Sequence, residues 1–73
     1  MSEQLNELKK LTAIATDLEL PNELRGKAAE QLGRIGTHEA LLALLDLVAN
    51  EGLIRDERTH ALKQAGQILK SSR

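Results

Sequence analysis

The chain has 73 residues, a formal charge of −1, no cysteine and no aromatic residue. Residues 1–73 suffice for one domain, and a domain this small buries only about 60% of its unfolded surface. The missing cysteines exclude disulfide staples and thiolate metal sites, and the near-neutral balance excludes binding to nucleic acid by bulk electrostatics.

The core must come from 15 Leu, 9 Ala, 4 Ile and Val48. Leu and Ala are strong helix formers, so the composition predicts an all-α fold. Helix 1 is expected over about Ser2–Asp17, capped by Ser2, with Leu5, Leu8, Leu11, Ile14, Ala15 and Leu18 along one side. Pro21 stops it and opens helix 2, about Pro21–Ile35, whose stripe is Leu24, Ala28, Leu32 and Ile35. Gly36 offers a left-handed stop and Thr37 a cap. Helix 3 is expected over about His38–Glu51, with Gly52 ending it. Helix 4 runs from Leu53 or Ile54 to Lys70. The short connections predict antiparallel neighbours.

A shift of 33 residues lays the second half on the first without a gap. Leu20 meets Leu53, Arg25 meets Arg58, Ala28 meets Ala61, Gln31 meets Gln64, Gly33 meets Gly66 and Ile35 meets Ile68. The same shift pairs Leu8 with Leu41, Leu11 with Leu44, Ile14 with Leu47 and Ala15 with Val48. Repeat 1 is read as about Gln4–Gly36 and repeat 2 as about Thr37–Leu69.

The strings Arg25-x-x-Ala28-Ala29-x-x-Leu32-Gly33-x-Ile35-Gly36 and Arg58-x-x-Ala61-Leu62-x-x-Ala65-Gly66-x-Ile68 resemble the second helix of HEAT repeats. They are similar to the short bacterial HEAT-like repeats also found in phycobilisome lyase subunits. Leu69 departs from the final Gly, and Leu62 and Ala65 swap sizes relative to Ala29 and Leu32, as suits a terminal repeat. The resemblance implies a right-handed α-solenoid of two stacked hairpins that binds protein, while the lack of a basic-then-apolar start and of any apolar run near the roughly 18 residues that span a bilayer leads to the expectation of a cytoplasmic location. It places Lys27, Gln31, Arg34, Lys63, Gln64 and Gln67 near the concave, partner-binding side.

Arg25 and Arg58 each fall inside the apolar arc of their helix. A guanidinium facing a core needs a paired acid, and the preceding turns offer Asp17 or Glu19 for Arg25 and Glu51 for Arg58. Otherwise each snorkels to water. Gly33 and Gly66 inside helices suggest close backbone approach, or tolerated surface glycine. Helix 3 carries an apolar arc of roughly 220°, wider than one buried face requires. Its flank around Leu42 or Leu47, depending on handedness, is expected to stay bare. Three repeats are the usual minimum, so the two-repeat chain is expected to self-associate as a homodimer through Leu42 or Leu47.

Catalytic and cofactor chemistry finds little support. Glu57-x-x-His60 has the spacing of a di-iron ligand pair, but no second such pair exists. Ser2, Ser71 and Ser72 sit at the ends without triad partners. The chain is therefore expected to be no enzyme, with no cofactor and no metal, although the resemblance permits an accessory subunit of a lyase-type complex. Residues 55–73 carry Arg55, Arg58, Lys63, Lys70 and Arg73 against Asp56 and Glu57. That basic stripe is an alternative nucleic-acid contact, weakened by the lack of any aromatic for base stacking.

Overall fold

The computed structural model describes residues 2–71, with side chains from residue 6 onward. It contains four α-helices: α1 Ser2–Thr16, α2 Asn22–Ile35, α3 His38–Ala49 and α4 Arg55–Ser71. No strand occurs among the described residues. The expected cap at Ser2 concerns a side chain outside those described.

Local chemistry sets each boundary. After Thr16 the Asp17 N–H donates back to the Ile14 carbonyl at 3.2 Å, and the Asp17 carboxylate accepts from the Glu19 N–H at 3.0 Å. An Asx turn of this kind competes with the next helical bond. Pro21 takes the N-cap of α2 (φ −58°, ψ 146°) and stands just outside the helix instead of at its first position. Its carbonyl accepts from Leu24 and Arg25. Gly36 ends α2 in the left-handed region at φ 70°, the one positive φ among the described residues, and only glycine adopts it without steric cost. Thr37 caps α3, its hydroxyl accepting from the Ala40 N–H at 3.1 Å.

α3 stops at Ala49, two residues short of the expected Glu51. Asn50 turns extended (φ −80°, ψ 105°) and its side-chain carbonyl accepts from the Gly52 N–H at 2.9 Å. These turn bonds match those of residues 17–20 at a spacing of 33. Asn50 N–H donates to Leu47 as Asp17 does to Ile14, and Leu53 N–H to Asn50 as Leu20 does to Asp17.

α1 packs on α2 and α3 on α4, giving two hairpins. The hairpins meet chiefly through α2 and α4, less through α2 with α3 and α1 with α3. Among the described residues seven of the twelve buried core residues are alanines: Ala15, Ala28, Ala29, Ala40, Ala43, Ala61 and Ala65. Small side chains at these contacts let helix axes approach closely. Leu32, Leu44 and Leu47 fill the centre, and Leu53 and Ile68 close it. The Cα radius of gyration, 11.2 Å, matches the roughly 11 Å expected of a compact 73-residue chain.

Candidate protein-binding surfaces

Arg25 lies one turn into α2, on the side facing α4. Its Nε and Nη2 donate to one carboxylate oxygen of Glu57, at 2.9 and 2.7 Å. Its Nη1 donates to the carbonyls of Leu20 at 2.6 Å and Asp17 at 3.2 Å. The two side chains are only 11% and 10% exposed, so the pair is largely desolvated. The second Glu57 oxygen is buried without a partner.

The acid is therefore neither Asp17 nor Glu19. The Asp17 carboxylate is engaged in its own turn, and Asp17 meets Arg25 through its carbonyl. The expected Arg58–Glu51 pair is also replaced. Arg58 Nε donates to the Val48 carbonyl at 2.7 Å, which ties α4 to the end of α3, and Glu51 is exposed in the turn. The arginine–carboxylate ion pair among the described residues is Arg25–Glu57, and His60 Nε2 comes within 3.7 Å of a Glu30 carboxylate oxygen. Arg58 thus has no described carboxylate partner.

Three of the six residues expected on a concave side line one groove between α2 and α4. Arg34, Gln64 and Gln67 meet there with Glu30, Gly33 and Lys70. Lys27 and Gln31 line a separate apolar depression with Leu11, Ile14, Leu20 and Leu24. Lys63 is exposed and lines neither. The backbone of Gly33 lies against Gln64, which fills the space a Cβ would need, whereas Gly66 has open space around it.

Leu47 is 2% exposed and Leu42 is 49% exposed. Leu47 is therefore a core residue and not a self-association residue: it is buried beside the inter-hairpin cleft that Ala15, Arg25 and Ala29 also line. Leu45, Leu62 and Leu69 join Leu42 as exposed large side chains on the second hairpin. The repeat spacing carried the signal for Leu62, since it occupies the position of buried Ala29.

Between the hairpins lies a cleft of about 220 Å³. The first hairpin contributes Ala15, Asn22, Arg25, Gly26 and Ala29; the second contributes Leu47, Leu53, Ile54, Asp56, Glu57 and His60. Adding 33 to the first set gives Val48, Arg55, Arg58, Thr59 and Leu62. Those five residues line an open depression on the far side of the second hairpin. Subtracting 33 from Leu47, Leu53, Glu57 and His60 gives Ile14, Leu20, Leu24 and Lys27, which line the apolar depression on the first hairpin. The first-hairpin wall of the cleft thus recurs in full at one end of the molecule, and four of the six residues of the second-hairpin wall recur at the other.

Glu57 is committed to Arg25 and His60 faces Glu30. No cluster of three or more metal-ligating side chains occurs among the described residues. The basic residues of 55–73 are dispersed: Arg55 lines the depression beside Arg58, Lys70 lines the α2–α4 groove, and Arg73 lies outside the described residues. No described helix is long and apolar enough to cross a membrane. No known protein family, curated protein or solved structure matches the chain.

Proposed function

We propose that this chain is a non-catalytic, HEAT-like module of two helical hairpins, stacked as a short right-handed solenoid, that binds another protein. The carrying observation is the inter-hairpin cleft whose first wall recurs in full, and whose second wall recurs in four of its six residues, at opposite ends of the molecule 33 residues away. A solenoid repeat hides its apolar face only against a neighbour, so uncovered end walls are natural docking surfaces.

The α2–α4 groove is the second contact. Arg34, Gln64, Gln67 and Lys70 present long polar side chains on rigid helices, suited to an acidic segment of a partner. Arg34 and Lys70 are exposed, so replacing both by Glu leaves the core intact.

Affinity capture from cells of the source organism, run in parallel with wild type and the Arg34→Glu/Lys70→Glu variant, tests this reading. A protein retained by wild type and lost from the folded variant supports it. Identical capture by both, or no saturable partner at all, contradicts it.

A further inference from the structure

We infer that the depression of Val48, Arg55, Arg58, Thr59 and Leu62 is a docking site for a helical hairpin of another polypeptide that supplies a carboxylate to Arg58. The inference rests on the repeat reading above. Inside the molecule the same wall is complete. Arg25 receives Glu57 from the first turn of the following hairpin's second helix, and Ala29 is covered. In the open copy Arg58 has only a backbone carbonyl for its Nε, Leu62 is 54% exposed, and nothing lies against Gly66. The lining holds two guanidinium groups and no acid. A half-buried Arg58 beside an exposed Arg55 favours a partner that brings the opposite charge.

The chain's own opposite end does not supply it. At the positions of Glu57 and His60 the first hairpin carries Leu24 and Lys27; its nearest carboxylate, Glu23, stands at the position of Asp56, which lines the cleft while the Arg25 donors go to Glu57 instead. Head-to-tail stacking of identical copies sets Leu24 against Arg58. It also brings Lys27 toward Lys63, which stands where Glu30 meets His60 in the internal pair. Two-fold pairing through the depression brings together two linings that both lack a carboxylate. The occupant with matching chemistry is therefore a different hairpin with Asp or Glu where this one has Glu57.

The protein itself can be turned into the probe. Leu24 and Lys27 are both exposed, so the Leu24→Glu/Lys27→His variant is expected to keep the helical circular-dichroism spectrum of wild type. Its first hairpin then carries the Glu and His of the internal interface. In sedimentation velocity its weight-average mass should rise with concentration beyond twice the monomer mass, as an open head-to-tail series. Adding Arg58→Gln should abolish the rise, and high salt should weaken it. Leu24→Glu alone should show the same trend more weakly, which keeps the test available if the double variant misfolds.

The inference is overturned if neither variant gains mass over wild type, if Arg58→Gln leaves the assembly intact, or if wild type already forms a closed dimer that Leu62→Glu dissolves. Arg25→Gln separates this failure from failure of the repeat reading. If Arg25→Gln destabilises the fold while the Leu24→Glu series stays monomeric, only the docking inference fails. If Arg25→Gln leaves stability unchanged, the repeat reading itself is lost.

Discussion

Arg25 and Glu57, 32 residues apart, join the two hairpins through a pair of hydrogen bonds to a single carboxylate oxygen. Arg58, the counterpart of Arg25 in the second hairpin, spends its Nε on the Val48 carbonyl and meets no described acid. The two arginines should differ in energetic weight. Arg25→Leu strands a desolvated carboxylate and takes the donor from two carbonyls, at a cost of about 3 kcal/mol or more. Arg58→Leu removes one charge-assisted bond to a backbone carbonyl from a half-buried site and strands no acid, at a cost of about 1.5 kcal/mol. Urea denaturation of the two variants measures the difference, and equal costs would refute the assignment.

The helical glycines offer a second contrast. A Cβ at Gly66 meets nothing, so Gly66→Ala should gain roughly the 1 kcal/mol of helix propensity. A Cβ at Gly33 overlaps the Gln64 amide and comes within 3.3 Å of the Gln64 Cβ. Gly33→Ala should therefore gain clearly less, or lose stability. Thermal midpoints of the two variants, compared with wild type, decide it. Close approach thus explains Gly33, whereas Gly66 faces open space.

Leu42 and Leu47 separate on burial. Leu47→Ala opens a cavity in the core and should cost about 2–5 kcal/mol, much of the stability of a domain this small. Leu42→Ala, at a half-exposed site, should stay within about 0.5 kcal/mol of wild type. Chemical denaturation measures both, and a large loss at Leu42 would show that its face is covered.

Thr37→Ala removes the hydroxyl that accepts the Ala40 N–H and should cost about 1 kcal/mol. Gly at the same position should cost less, because without a Cβ it leaves the first helical N–H groups open to water. Helix content and thermal midpoint of both variants check the order.

The helices were legible because their punctuation is local: Pro21, Gly36 and Thr37 act within a turn of where they stand. The end of α3 was misplaced because Asn50 takes the turn before Gly52 can, although Asp17 does the same 33 residues earlier. The acid for Arg25 was missed for a different reason. Nearby carboxylates are adjacent in sequence, but Glu57 reaches Arg25 only once the hairpins stack in one register. Leu47 and Leu42 were indistinguishable for a similar reason, since handedness decides which flank of α3 is covered. The repeat spacing, applied to Leu62 and Ala29, held more of the surface than the apolar arc of one helix did.

A double-mutant cycle on Arg25 and Glu57 tests the stacking of the two hairpins most directly. Arg25→Leu and Glu57→Leu should each destabilise. The double variant, with both charges gone, should recover at least about 1.5 kcal/mol relative to the sum of the singles. Costs that add within about 0.5 kcal/mol would mean that the two residues do not touch, and that the hairpins do not meet in this register.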